Sequence, residues 1–472
     1  MKAKLLGVAV ALVAAAAPAQ AFADSGGSGG FQAGVQSANT TQGAAGVAAS
    51  HQNAVNANVP VSIAGGNVSA GPSSATQTAN SNATADVSNQ AATDQDQSLH
   101  QNIGGSGCTA GCGGAGGFQA GIQDAQTQQA AIGIAKSDQN AVNANVPVSI
   151  AGGNVNSGPS SATQTASSTA DTNVSNEAST EQEQKQHQDI GGSSSCKAGC
   201  GGAGGFQVGV QKADTQQAAF GVSKSHQNAV NANVPVSIAG GDVNSGPSSA
   251  TQNATSTATT DVSNTATTEQ EQKLHQNIGS DCGCGHKDGK DRTDGEDGHD
   301  GCFAGCGGAG GFQLGVQKAD TEQWAAGIAK SDQNAVNGNA PVSIAGGNVS
   351  NGPSSATQYA DSNATTNVSN ESETEQEQKL HQDIGGNDSC KAGCGGPGGF
   401  QLGIQKADTQ QWAFGLAKSH QNAVNGNAPV SIAGGNVYDG PSSAYQSATS
   451  SATTDVPNWA DTKQNQWQHQ EV

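Results

Sequence analysis

The sequence predicts an all-β chain: a tandem array of five repeats, either β-solenoid-like or built of stacked short strands. Three observations predict it. Residues 52–66, QNAVNANVPVSIAGG, return almost letter for letter at 139–153, 227–241, 333–347 and 421–435. Such self-similarity marks one structural unit used five times. Within each copy, apolar and polar residues alternate with period two, which argues for strands over helix. From the Phe that opens each copy to the Ala of Ile-Ala-Gly-Gly is 33 residues in all five, from Phe31–Ala64 through Phe400–Ala433. A body that accepts no insertion has its residues committed to a ladder. The alternatives are β-sandwich units or a substantially disordered low-complexity chain, which low hydrophobicity favours.

In chain order, residues 1–23 read as a secretory signal: Lys2 and Lys4, an apolar run from Leu5 to Ala17, then small residues before a cleavage site. The expectation is export to the extracellular space or cell surface, with no membrane span. Hydrophobic residues are 33% and aromatics 3% of the chain, against 67 glycines, so a large conventional core is not expected. Loss of Lys2 and Lys4 with the signal takes the formal charge from −20 to −22. That balance argues against nucleic acid and anionic lipid as partners.

The repeats are assigned to residues 29–105, 116–192, 204–280, 310–386 and 398–472, with linkers at 106–115, 193–203, 281–309 and 387–397. The fifth copy shows the pattern most clearly. Phe400, Leu402 and Ile404, then Trp412, Phe414 and Leu416, then Val424, Val430 and Ile432 share even parity. Polar stretches at 406–410 and 418–422 separate them. The reading is three short strands near 400–405, 411–417 and 423–432. One face is apolar and does the packing. The other, of Gln, Asn, Ser, Thr, Ala and Gly, lets amide ladders form along the stack. Pro60 donates no hydrogen bond, so the strand is expected to be bulged or at an edge there. A Ser/Thr/Ala-rich stretch and a Gln/Glu run, such as 269–272, close each unit. The run reads equally as a short helix or an extended edge.

Twenty residues beyond each Phe stand His51, Asp138, His226, Asp332 and His420. The alternation suggests duplication of a two-repeat block. Shared ancestry without contact explains it, and so does a His–Asp pair between neighbouring units.

All ten cysteines lie between the repeat bodies: Cys108, Cys112, Cys196, Cys200, Cys282, Cys284, Cys302, Cys306, Cys390 and Cys394. An even count in an exported chain makes disulfides the default, with metal ligation and free thiols as alternatives. The third linker carries His286, Asp288, Asp297 and His299 among a carboxylate every third residue. Those four are candidate ligands for a divalent cation; a charged spacer is the plain alternative. No cofactor is indicated otherwise. Ser, His and Asp recur in five near-equal copies, not in one unique pocket, so no catalytic residue is assigned and an enzyme is not expected.

The segments Gln119-x-Gly121-x-Gln123 and Gln139-Asn140-Ala141-x-Asn143-x-Asn145 resemble bacterial functional amyloids of the curli and Fap type. The curlin repeat is shorter and its motif order differs. Residues 59–68, VPVSIAGGNV, resemble the core of chaplins, although the chaplin paired-cysteine layout is absent. These resemblances imply a self-associating surface, matrix or biofilm protein, partnered by itself or by other matrix proteins. The alternative is a multivalent adhesin for glycan, mineral or ice surfaces.

Overall fold

The computed structural model describes residues 21–24, 30–104, 116–193, 204–281, 310–386 and 398–471. The described residues are nearly all strand. Repeat 1 contributes β2 (Gly30–Asn58), the short β3 (Val61–Ala64) and β4 (Val68–Ala70), and β5 (Ser73–Gly104). Repeat 2 follows with β6 (Gly116–Asn145), β7 (Val148–Ala151), β8 (Val155–Ser157) and β9 (Ser160–Ser193). Repeat 3 has β10 (Gly204–Asn233), β11 (Val236–Ala239), β12 (Val243–Ser245) and β13 (Ser248–Asp281). Repeat 4 has β14 (Gly310–Asn339), β15 (Val342–Ala345), β16 (Val349–Asn351) and β17 (Ser354–Gly386). Repeat 5 has β18 (Gly398–Asn427), β19 (Val430–Ala433), β20 (Val437–Asp439), and a closing strand split into β21 (Ser442–Asp455) and β22 (Asn458–Glu471). The split falls at Val456-Pro457, where the proline removes a ladder donor.

Each repeat is one layer shaped as a long arch: out along one strand, round a tip, and back along the other. Layers stack in parallel, and equivalent residues pair across all five, as in Phe118↔Phe206 and Gln184↔Gln272. The outgoing strands form one sheet in the order β18-β14-β10-β6-β2, here called sheet B. The returning strands form sheet A, in which β1 (Ala21–Asp24) pairs beside residues 99–102 of β5. Two narrow sheets form the tip. A 30-residue strand spans about 100 Å and five layers about 24 Å, so the molecule is a plank.

The expected all-β array of stacked repeats is therefore the fold, with two corrections and one open alternative settled. The first two short strands and the start of the third are one continuous strand, while the end of the third, residues 430–432, falls in the separate β19. The polar stretches at 406–410 and 418–422 carry no Gly-Pro turn signal, and their inward residues, Ala407, Thr409, Ser419 and Gln421, keep the alternation unbroken. The Gln/Glu run is strand, not helix. Most consequentially, the apolar face points outward. The inward residues of β6 include Gln119, Gly121, Gln123, Ala125, Thr127, Gln129, Ala131, Gly133, Asn143 and Asn145. Those of β9 include Ala162, Gln164, Ser168, Val174, Asn176, Gln182, Gln184 and Ile190.

Small residues explain the inversion. A Cβ on Gly209 would stand 2.5 Å from Gln272 Nε2 and 2.7 Å from Gln184 Oε1. The sheets approach closely enough that Gly on one fills against Gln, Val or Ile on the other. The buried amides then bond along the stack: Gln207 Nε2 donates to Gln119 Oε1 at 2.9 Å and Gln313 Nε2 to Gln207 Oε1 at 2.9 Å. Serines zigzag between the sheets, with Ser137, Ser168 and Ser225 hydroxyls linked at 2.9 Å. Buried polar groups cost little when so paired. Apolar columns, such as Val87-Val174-Val262-Val368 and Ile103-Ile190-Ile278-Ile384, interrupt the polar ones.

At the tip, Pro60 sits between β2 and β3, as its missing N–H requires, and its carbonyl accepts from Val148 N at 2.8 Å. The Gly-Gly turn stacks backbone on backbone; a Cβ on Gly152 would stand 2.5 Å from Gly65 O.

Candidate functional surfaces

Period-two alternation with a polar interior leaves two very different broad faces. The outer face of sheet B carries columns of apolar side chains. Phe31, Phe118, Phe206, Phe312 and Phe400 stack with ring centroids 4.6–5.3 Å apart. Further columns run through Ile122, Val210 and Val316, through Ile132 and Phe220, and through Val142, Val230 and Val336. In the middle layers several of them stay exposed, Ile132 at 47% and Phe220 at 38%, as does Trp324, in the column of Trp412, at 52%. Two charged bands divide the face. Lys212 and Lys318 pair with Asp214 and Asp320, and Lys136 and Lys330 pair with Asp138 and Asp332 at 2.8 Å. The Asp214 contact holds the Lys212 ammonium above its ordinary pKa. The whole face, charged bands included, measures about 100 by 24 Å.

The alternating His51, Asp138, His226, Asp332 and His420 are register neighbours on this face. The first four nevertheless find partners within their own strands: His51 Nε2 lies 3.1 Å from Asn53 Nδ2, Asp138 takes Lys136, His226 Nε2 lies 3.2 Å from Asn228 Nδ2, and Asp332 takes Lys330.

The outer face of sheet A is hydrophilic. Its columns are Ser, Thr and Asn near the tip and Asp, Glu, Lys and His toward the far end. Unlike residues alternate in one column, Asp86-Asn173-Asp261-Asn367-Asp455, and Asn367 Nδ2 donates to Asp261 Oδ1 at 2.7 Å. Like charges also stack. Partial burial, then Glu181 and Glu375 above and below, hold Glu269 above the usual carboxylate range. Burial, then Asp261 and Asp86, raise Asp171 against a lowering hydrogen bond from Thr259.

Near the far end, His100, His187, His275, His381 and His469 form a continuous imidazole ladder, with centroids 4.7–5.0 Å apart and rings within 9° of parallel. Two residues on, the same face carries Asn102, Asp189, Asn277, Asp383 and Glu471. His187 Nε2 lies 2.9 Å from Asp189 Oδ2, and His381 Nε2 lies 3.1 Å from Asp383 Oδ2. Burial lowers the pKa of His275, helped by His187 and His381 on either side and opposed by Asp383 and Asp189. This ladder was not singled out from sequence. The signal was parity: His100 shares it with Asp94 and Asp96, opposite to the buried Gln95, Gln97 and Gln101.

The chain matches no family model, no curated protein and no solved structure. The geometry therefore carries the functional argument by itself. All ten cysteines, and His286, Asp288, Asp297 and His299, lie outside the described residues. Among the described residues no helix is long and apolar enough to cross a membrane.

The two ends of the stack are the remaining surfaces. Strands β2 and β18 lie at opposite ends of sheet B, each paired on one side. The buried side-chain ladders have direction. Along the glutamine columns the higher repeat donates to the lower, from Gln405 to Gln317 to Gln211 to Gln123 to Gln36. Along the buried asparagine columns the lower donates to the higher, from Asn56 to Asn143 to Asn231 to Asn337 to Asn425. The repeat-5 end thus offers Gln carbonyls and Asn amide hydrogens, and the repeat-1 end offers the complements.

Proposed function

We propose that this chain is a secreted structural protein of an extracellular surface, matrix or fibre, which self-associates head to tail by laying repeat 5 of one copy on repeat 1 of the next. The observation that supports it is the direction of the amide ladders, which makes the two ends complementary in donors and acceptors. The side chains agree. In that stacking Trp412 and Phe414 lie over Gly43 and Ala45, large over small, and Lys463 lies beside Asp94. Each such contact continues a column already present. Long paired-on-one-side strands are templates for further pairing unless blocked; β1 covers residues 99–102 of the repeat-1 edge, and removal of residues 1–23 with the signal would uncover nearly all of it. Parallel layers of this kind add by neighbour interfaces.

Each added copy would extend the stack by five layers, about 24 Å, on a layer spacing of about 4.8 Å. Sedimentation and electron microscopy of the mature chain, with and without preformed seeds, test the proposal. Seed-accelerated filaments one plank wide, with both spacings in fibre diffraction, are expected. A chain that stays monomeric at high concentration in the presence of seeds would overturn it.

A second reading, a multivalent adhesin, draws on the apolar columns of sheet B, which offer five copies of one surface for avidity. Replacing Phe206, Phe220 and Trp324 with Ser should then abolish surface retention while leaving filament formation intact.

A further inference from the structure

We propose that the imidazole ladder on sheet A binds divalent transition-metal ions at two sites, one on His275, His381 and Asp383 and one on His100, His187 and Asp189. In the first, one ring nitrogen from each histidine and one carboxylate oxygen lie within 4.8 Å of one another. Two layers lower the same residue types recur, with the two rings stacked 4.8 Å apart and the carboxylate 2.9 Å from His187 Nε2, though their three donor atoms are less closely grouped than the first site's. Two imidazoles and a carboxylate suit zinc, nickel or copper, whereas calcium and magnesium take oxygen donors. Zinc holds such ligands at about 2.0–2.2 Å. The three groups must draw together by roughly an ångström, which half-exposed side chains on fixed strands achieve by rotation about χ1 and χ2. Water completes the coordination.

The neighbouring charges permit a cation. Lys185, Lys273 and Lys379 stand beside the ladder, but each is drawn to the carboxylate on its other side, Glu183, Glu271 and Glu377 respectively. In the column beside the ladder, Asn277 separates Asp189 from Asp383, with Asn102 below them and Glu471 above. That spacing gives two sites in four layers and no unbroken row. At the repeat-5 end Trp467 stands beside the ladder, its ring centroid 6.0 Å from that of His381 and 5.5 Å from that of His469.

The test is calorimetric titration of the metal-free full chain with zinc at neutral pH, alongside Asp189→Asn, Asp383→Asn and the double variant. Asn occupies this column in the first and third layers, so the variants keep the stack, and melting in chelator verifies it. Any zinc taken by the cysteines or by residues 281–301 is common to all four proteins. Each single variant should lose one equivalent or weaken it at least tenfold, and the double variant two. Cobalt in place of zinc should lose the matching visible absorption. Equal stoichiometry and affinity in wild type and double variant would overturn the proposal.

Discussion

Gln211 Nε2 donates to Gln123 Oε1 at 2.9 Å, and its own Oε1 accepts from Gln317 Nε2 at 2.9 Å. The same Nε2 also reaches the carbonyls of Gln182 and Glu271 on the facing sheet, at 3.0 and 2.9 Å. One side chain thus ties three layers and two sheets.

Gln211→Leu should accordingly destabilise the chain by about 2–4 kcal/mol, because it leaves buried donors and acceptors without partners. Hydrogen exchange should show the loss of protection centred on β6, β10 and β14. A change within about 0.5 kcal/mol would mean that the ladder contributes nothing.

Close approach of the sheets makes a second prediction. A Cβ on Gly221 would stand 2.7 Å from Thr260 Cγ2 and 2.8 Å from Val262 Cγ2, while one on Gly338 meets nothing within 4 Å. Gly221→Ala should cost about 1–3 kcal/mol by overpacking. Gly338→Ala should be neutral or stabilising by up to about 1 kcal/mol, since Ala57, Ala144 and Ala232 already occupy its column. Denaturant midpoints distinguish the two.

The inverted faces can be checked with one substitution made twice. Val262 is 2% exposed and Val230 is 38% exposed. Val262→Thr should destabilise by about 1–2 kcal/mol through a buried hydroxyl, and Val230→Thr by less than about 0.5 kcal/mol. The reverse ranking would place the apolar face inside.

The hydrophilic face should give stability two opposed responses to pH. His275 has its pKa lowered, so below the ordinary imidazole value of about 6.5 the unfolded chain takes up its proton first. Stability therefore falls as pH drops from there through the folded-state value. Glu269 and Asp171 have theirs raised, so the folded chain is protonated first, and stability recovers as pH falls through their folded-state values toward the ordinary carboxylate range. Denaturant midpoints across acid pH, in chelator, should decline and then level or recover. Glu269→Gln should raise stability at neutral pH, by an amount that shrinks on acidification; a constant difference would contradict the sign.

The five-fold array and its strand character were legible because period and parity survive in every copy. The parity also sorted residues correctly into two faces, since Phe400, Leu402 and Ile404 do share a side. Which side is inside was not legible from hydrophobicity. That ordering follows from Gly121, Gly133 and Ala131, whose size lets the sheets close on one another around amide columns that bond along the stack. The continuity of each long strand was obscured by Lys406 and Lys418, whose charges face solvent and interrupt nothing. The histidine ladder was missed because its members stand 87 to 106 residues apart and meet only when the layers stack.

The His51-to-His420 column has a further consequence. Alternation of period two over an odd number of layers begins and ends on the same residue. Inside one molecule every histidine of the column has an aspartate for a register neighbour, but head-to-tail joining sets His420 against His51. The joints between molecules would then be chemically distinct from the layers within them, two imidazoles meeting where an imidazole and a carboxylate meet elsewhere. On dilution the filament should therefore part at those seams first, releasing intact planks before any plank unfolds. Light scattering that falls with an unchanged circular dichroism signal would record that release, and simultaneous loss of both would exclude it.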